Sequence, residues 1–172
     1  MDPNRFTQKT QEAIAEAQSV STKLGHQETD LEHLLIALIE QENGLVPRIL
    51  ARLDADPAAV ASSLRRALER RPSVSGPGTE HGKVLVSRRL NGVLVAAEDE
   101  AKRLKDEYVS TEHVLLAAIG EAQRGGDAAA AFAEAGITRD KVLATLTDMR
   151  GSQRVTSANP EATYEALEKY GV

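Results

Sequence analysis

Cysteine is absent from this 172-residue chain, which excludes disulfide bonds, thiol catalysis, zinc–thiolate sites and iron–sulfur clusters. Tryptophan is absent as well, and aromatic residues make up only 3% of the chain, whereas 41% of its residues are hydrophobic. The core must therefore be aliphatic, built from Leu, Ile, Val and much Ala. That composition favours helices over sheets.

The sequence also lacks a secretory signal, a membrane-length apolar run and an excess of positive charge. Its first ten residues, MDPNRFTQKT, have neither a basic start nor an apolar stretch, and no window approaches the length of a membrane span. The formal charge of −5 is opposite in sign to that of a typical phosphate-binding domain. We therefore expect a soluble, cytoplasmic protein that binds neither nucleic acid nor membranes.

One segment occurs twice in the chain. TDLEHLLIALI at 29–39 returns eighty residues later as VSTEHVLLAAI at 109–119. The same offset aligns further identical residues: Ala17 with Ala97, Leu24 with Leu104, Glu32 with Glu112, His33 with His113, Leu35 with Leu115 and Ile39 with Ile119. A single ungapped register over some thirty residues indicates an internal duplication with a period of about eighty residues.

Each copy is predicted to form four helices. Apolar residues recur at helical spacing in the first helix of both copies, and short polar residues stand where the helices should begin, at Thr7, Asp30, Ser87 and Ser110. Alternating strand patterns are nearly absent. The predicted fold is all-α, a pseudo-twofold duplication of a four-helix repeat with about eight helices.

A proline- and glycine-rich segment, RRPSVSGPGTEHG at 70–82, separates the two copies and indicates a flexible connector. We place one domain at 1–150, with repeat 1 at about 5–70, the connector at 71–83 and repeat 2 at about 84–150. The remaining residues, 151–172, are predicted to form a loose linker followed by a short helix.

Residues with catalytic or metal-binding chemistry are few. The histidines are His26, His33, His81 and His113, and none lies in an HExxH motif. The segment GPGTEHGK fails as a phosphate-binding loop because Pro77 stands where its first glycine should be and Val84 follows the lysine. We predict no catalytic, metal-binding or cofactor-binding residue, and we interpret His33 and His113 as partly buried imidazoles hydrogen-bonded to backbone.

The repeat, its period and its duplicated segment together resemble the Clp N-terminal (Clp repeat) domain of the Hsp100 AAA+ chaperones. The segments DEYVSTEH at 106–113 and MRGSQRVTSANPEATYEALEKYG at 149–171 are most similar to the ClpB branch. The resemblance implies that residues 151–172 lead to an ATPase module outside this chain, and that ATP and magnesium bind there. It also implies capture of unfolded or aggregated polypeptide for a hexameric parent that works with the DnaK chaperone system, the fragment itself being a monomer.

A substrate site follows partly from the resemblance and partly from the residues. The resemblance assigns substrate binding to Thr7, Asp106 and Glu112, although Thr7 is also explained as an N-cap and Glu112 as a complement to the helix dipole. The fifth helix adds apolar residues outside its core stripe, Val95 and Ala96, with Tyr108 beside Asp106. These residues predict an exposed groove, or alternatively a face packed against the first repeat. Gly92 is predicted to allow close approach on that side, and Val84, Leu85 and Val86 lead into the helix.

Other functions remain open from the sequence alone. The alternative is an adaptor- or regulator-docking domain, as in unfoldases of the ClpA and ClpC type. A free-standing ligand-binding or resistance protein and an unrelated all-α enzyme rank lower. The carboxylates around Asp106 further suggest a preference for substrates that carry basic residues beside apolar ones.

Overall fold

The computed structural model describes residues 3–73, 85–151, 155–156 and 158. Across these residues, the all-α fold predicted from the sequence is confirmed. Eight helices follow in chain order: α1 (Gln8–Lys23), α2 (Leu31–Glu40), α3 (Leu45–Arg52), α4 (Pro57–Glu69), α5 (Arg88–Arg103), α6 (Thr111–Ala122), α7 (Asp127–Ala135) and α8 (Arg139–Arg150). A 3₁₀ turn (Pro3–Arg5) precedes them, and two short strands complete the fold, β1 (Glu28–Thr29) and β2 (Leu85–Val86).

Parts of the predicted organisation lie outside the described residues. These are the predicted connector from residue 74 onward, including His81, and Val84 of the segment leading into α5. The same holds for most of the predicted linker at 151–172. The boundaries of the connector and of the linker stay predictions.

Short polar side chains start the helices as the sequence predicts. The Thr7 hydroxyl accepts the Thr10 N–H at 3.3 Å, and the Ser87 hydroxyl accepts the Leu90 N–H at 3.0 Å. Asp56 caps α4, whose first residue is a proline, and Thr138 caps α8. Each of these side chains satisfies a backbone N–H that has no partner within its helix.

The two repeats share one hydrophobic core around α2 and α6. Both helices are buried almost all round, which is the behaviour of helices that are apolar on every face. Helix α1 packs on α2, and α5 packs on α6. The third helices cross between repeats, since α3 contacts α6 and α8 while α7 contacts α2 and α4. The repeats are therefore interlocked around a single core.

The segment that leads into the first helix of each repeat pairs with the other repeat. Strand β2 lies parallel to β1, and the Ser87 N–H donates to the Thr29 carbonyl at 3.0 Å. In the same way Phe6 forms a parallel bridge with Val109, and the Thr7 N–H donates to the Val109 carbonyl at 3.0 Å. This exchange carries Thr7 of the first repeat to the start of α6 in the second.

One expectation about α5 is wrong, and for Val95 the structure decides between the two alternatives in favour of exposure. Gly92 was expected to mark a close approach, but a Cβ added there would meet nothing within 4 Å. Val95 does not pack against the first repeat, because 48% of it is exposed, whereas Ala96 is half-buried against the core. Gly92 and Val95 therefore lie on the exposed side of α5. Among the described residues, no helix is long and apolar enough to cross a membrane.

Candidate functional site

A histidine closes the N-terminal turn of both α2 and α6. His113 Nδ1 accepts the Ser110 N–H at 2.8 Å, and His33 Nδ1 accepts the Asp30 N–H at 2.8 Å. Each imidazole therefore does what a glutamate or glutamine does in a capping box. The predicted hydrogen bonds of His33 and His113 to backbone are confirmed, although both imidazoles are fully rather than partly buried.

This bond fixes the tautomer of each ring, because an accepting Nδ1 leaves the proton on Nε2. The Nε2–H of His113 donates to Asp106 Oδ2 at 2.7 Å, and that of His33 donates to His26 Nδ1 at 2.8 Å. Neither Nε2 then has a lone pair to offer a metal ion. In the described part of the chain, no group of three or more His, Asp or Glu side chains could hold one.

Burial lowers the pKa of His33 to about 4 because it disfavours the imidazolium form, and the charges of His26 and Arg71 act in the same direction. In the second repeat the position of His26 is occupied by Asp106, so the two copies of this cap carry different charges. The repeats thus share a backbone arrangement and differ in electrostatics.

Asp106 is the centre of a buried polar cluster in the second repeat. Its Oδ1 accepts from Arg150 Nη2 at 2.6 Å and from the Val155 N–H at 2.8 Å, while Oδ2 accepts from His113. Burial alone would raise the pKa of Asp106, but these three hydrogen bonds lower it to about 2. Asp106 is therefore ionised and ties α8 and the segment after it to the start of α6.

Glu112 is fully buried and interacts with the same arginine. Its Oε2 lies 3.5 Å from Arg150 Nη1, and its Oε1 accepts a hydrogen bond from the Ser110 hydroxyl. In the first repeat Glu32 is equally buried and pairs with Arg71 at 3.0 Å and with Arg89 at 3.1 Å. Both glutamates therefore hold interior ion pairs in addition to complementing a helix dipole.

The structure brings four of the six predicted site residues together. Thr7, Asp106 and Glu112 are buried, and Tyr108 is half-buried against the core. The segment 106–112 carries three of them, and the Thr7–Val109 hydrogen bond adds the fourth. Val95 and Ala96 lie apart from this cluster on α5. Direct contact between a substrate and Thr7, Asp106 or Glu112 stays a prediction, since all three side chains are engaged inside the protein.

Three large apolar side chains of the second repeat are exposed. We define the second-repeat patch as Leu85, Val86 and Val95, which are 68%, 43% and 48% exposed. Val95 lies seven residues beyond the start of α5, about 10 Å along the helix axis. The equivalent residues of the first repeat, eighty positions earlier in the chain, are Arg5, the buried Phe6 and Ala15.

The sequence predicted only part of this site. Val95 was predicted, and Leu85 and Val86 were noted as the approach to α5. Arg150 and Val155 were missed. A basic residue in the last turn of a helix is ordinarily assigned to the helix dipole, and no local pattern marks Arg150 as the partner of two distant carboxylates.

Two grooves among the described residues are lined by none of the predicted site residues. A groove of about 530 Å³ lies between α4 and α7 and is lined in part by Asp54, Asp56 and Glu134. Beside Arg150 a smaller groove of about 210 Å³ lies between α5 and α8, below the usual range of ligand pockets. The larger groove lies within that range, but none of the predicted site residues lines it.

Comparison with known families gives one consistent result. The family model described as the Clp repeat (R) N-terminal domain matches residues 5–126. The chaperone protein ClpB of Nitratidesulfovibrio vulgaris is 54% identical over 99% of this chain and 20% of its own length. The chain thus spans about a fifth of the length of the curated relatives it matches.

Solved structures agree on the fold. The Hsp104 N-terminal domain from Candida albicans superposes with a TM-score of 0.76 at 24% identity, covering 91% of this chain and 98% of that one. A complex of the ClpV N-domain with a VipB peptide gives a TM-score of 0.62 at 20% identity, covering 83% and 89%. At these identities the likeness extends to the fold alone.

Proposed function

Because this chain belongs to the Clp repeat N-terminal domain family, we propose that it is the substrate-recognition domain of a ClpB-type protein disaggregase. In this proposal the domain binds unfolded or aggregated polypeptide in the cytoplasm. The parent protein is a homohexamer that threads the captured chain at the expense of ATP, in cooperation with the DnaK system. Similarity to ClpB over 99% of the chain supports the proposal.

The observation that carries the proposal is the asymmetry of the second-repeat patch. The first repeat builds the same four helices with Arg5, a buried Phe6 and Ala15 at the equivalent positions. Exposed Leu85, Val86 and Val95 are therefore not required by the fold. Apolar side chains that remain exposed without a structural reason typically mark a binding surface.

The chemistry of the patch favours unfolded clients over a single folded partner. It contains three aliphatic side chains and none of the aromatic anchors that dominate tight interfaces. An unfolded client also loses conformational entropy when it docks. We expect a Kd of micromolar or weaker, about −8 kcal/mol at best. Six tethered copies in the parent hexamer would compensate through their effective concentration.

The domain contributes recognition, and the chemistry resides elsewhere in the parent. The titratable side chains that the structure brings together, Asp106, Glu112 and His113, are tied to structural partners. In this proposal ATP and magnesium bind in ATPase modules outside the segment that this chain covers.

Binding of a permanently unfolded, fluorescently labelled polypeptide tests the proposal. The double variant Leu85→Ser and Val95→Ser should bind about tenfold more weakly, because it removes about 1.4 kcal/mol of apolar contact. The matched control, Arg5→Ser with Ala15→Ser, changes the equivalent first-repeat positions and should bind as the unaltered protein does. Equal affinity in all three proteins would contradict the proposal.

Docking of a dedicated adaptor or regulator is the second candidate. The complex of the ClpV N-domain with a VipB peptide provides an example of peptide binding on this fold. If the unfolded polypeptide binds none of the proteins, adaptor docking becomes the better explanation of the patch. A folded protein captured with 1:1 stoichiometry and lost on Val95→Ser would then identify the adaptor surface.

A further inference from the structure

The segment that follows α8 returns to the Asp106 cluster. Val155 is fully buried in the core, and its N–H donates to Asp106 Oδ1 at 2.8 Å. Its carbonyl accepts the Glu107 N–H at 2.8 Å. Further along, the Ala158 carbonyl accepts the N–H of Gln8 at 2.8 Å. Asp106 of the predicted substrate site and its neighbour Glu107 therefore hold Val155, and Gln8 holds Ala158.

These contacts recognise an extended peptide by its backbone. One carboxylate accepts a peptide N–H, two protein N–H groups donate to peptide carbonyls, and a small branched side chain enters the core. Gln8 is the first residue of α1, so its N–H has no acceptor within the helix and Ala158 supplies one. Apart from the one apolar side chain, every contact is made by backbone atoms that any extended polypeptide has.

We infer that Val155 and Ala158 belong to an intramolecular ligand bound by Asp106, Glu107 and Gln8, and that a client polypeptide held on the second-repeat patch also binds there, by displacing them. The inference rests on the proposed function for its client, and on the hydrogen bonds above for the internal ligand. It explains why Asp106, which the resemblance assigns to substrate binding, is engaged by Val155 in the free domain. The segment occupies the place that the client takes.

Displacement would also change how the chain leaves the domain. Arg150, the last residue of α8, and Val155 both bind the same Asp106 oxygen. When a client takes the place of Val155, the segment after α8 loses its attachment to α6 and α1. Client capture is thereby coupled to the release of Val155 from Asp106.

Hydrogen exchange in the unaltered 1–172 chain tests the displacement directly. A saturating unfolded client should accelerate exchange of the Val155 amide at least tenfold, because the client takes its place on Asp106. The Thr7 amide, whose acceptor is the Val109 carbonyl, should keep its protection. An unchanged Val155 amide in the client-saturated protein would overturn the inference.

A pair of neighbouring variants provides a matched control. Val155→Asp places a charge in the core and should release the segment, whereas Thr156→Asp adds the same charge at an exposed position. If the segment is docked nine-tenths of the time, releasing it strengthens client binding about tenfold. Thr156→Asp should leave the affinity unchanged. A protected Thr7 amide verifies that Val155→Asp is folded. Faster exchange of the Gln8 and Glu107 amides verifies that the segment has been released.

A synthetic peptide with the sequence of residues 152–160 separates this inference from the proposed function. Added to the Val155→Asp protein at millimolar concentration, it should restore the protection of the Gln8 and Glu107 amides. Failure to do so would overturn the internal ligand, whatever the client experiments give. Restored protection together with no client binding would retain the internal ligand and refute the proposed function.

Discussion

Replacing Arg150 by methionine should destabilise the domain severely. Arg150 is the last residue of α8, and its guanidinium lies 2.6 Å from Asp106 Oδ1 and 3.5 Å from Glu112 Oε2. Methionine keeps an unbranched side chain with a similar helix propensity, but it is shorter and lacks the charge and the donors of arginine. The two carboxylates would then remain in the interior without their shared cation.

The burial of the three side chains sets the magnitude. Arg150 is 6% exposed, and the side chains of Asp106 and Glu112 are 0% exposed. Removing one partner from a buried ion pair costs about 3–5 kcal/mol because the remaining charge is not solvated. For a chain of this length that loss lowers Tm by about 10 °C.

A matched surface variant shows whether burial is the cause. Arg103 pairs with Glu100 at 2.7 Å but is 65% exposed, and Glu100 keeps Arg139 as a second partner at 2.7 Å. Arg103→Met should therefore cost less than about 1 kcal/mol. Urea denaturation followed by circular dichroism at pH 7 measures both variants. If Arg150→Met were as stable as Arg103→Met, the account of a buried charge cluster would be refuted.

Three further changes have signs fixed by the structure. The pKa of His33 is about 4 in the folded protein and 6.5 in the unfolded chain, so the stabilisation by neutral His33 is complete above pH 6.5 and is lost as the pH falls toward 4. In urea titrations, His33→Asn should therefore lose less stability between pH 7 and pH 5 than the unaltered protein does. An equal loss in the two proteins would contradict the assignment. Folding lowers the pKa of Asp106 from 3.8 to about 2, so the stabilisation by ionised Asp106 is present above pH 3.8 and is lost as the pH falls toward 2. Urea midpoints measured across this pH range should show that Asp106→Asn lacks about 2 kcal/mol of this acid-dependent stability. Gly92 lies in an exposed helix interior with open space around a Cβ, so Gly92→Ala should raise the free energy of unfolding by about 1 kcal/mol, and a decrease would show that the space is filled.

The fold could be predicted from the sequence because its signals are local and occur twice. The helix starts are marked by short polar residues that lie within three residues of the N–H groups they bind or face: Thr7, Asp30, Ser87 and Ser110. Apolar spacing then identifies the buried face of each helix. The exchange of leading segments between repeats could not be predicted, since the two-residue pairing of Glu28–Thr29 with Leu85–Val86 has no periodic pattern to reveal it.

The site depends on contacts that are distant in sequence. Arg150 is 38 residues from Glu112 and 44 from Asp106, and only the packing of α8 on α6 brings them together. The burial of Thr7 likewise follows from its pairing with Val109 across the repeats. Val95 was identifiable because an apolar residue outside the core stripe of a helix is anomalous from the sequence alone.

The most direct test of the account is an amide-resonance NMR titration of the chain with a permanently unfolded polypeptide. Recognition by the second repeat predicts shifts in fast exchange that cluster at Val86, Val95 and Glu107, with the first-repeat residue Ala15 unaffected. Shifts spread equally over both repeats, or none at saturating polypeptide, would contradict recognition by the second repeat.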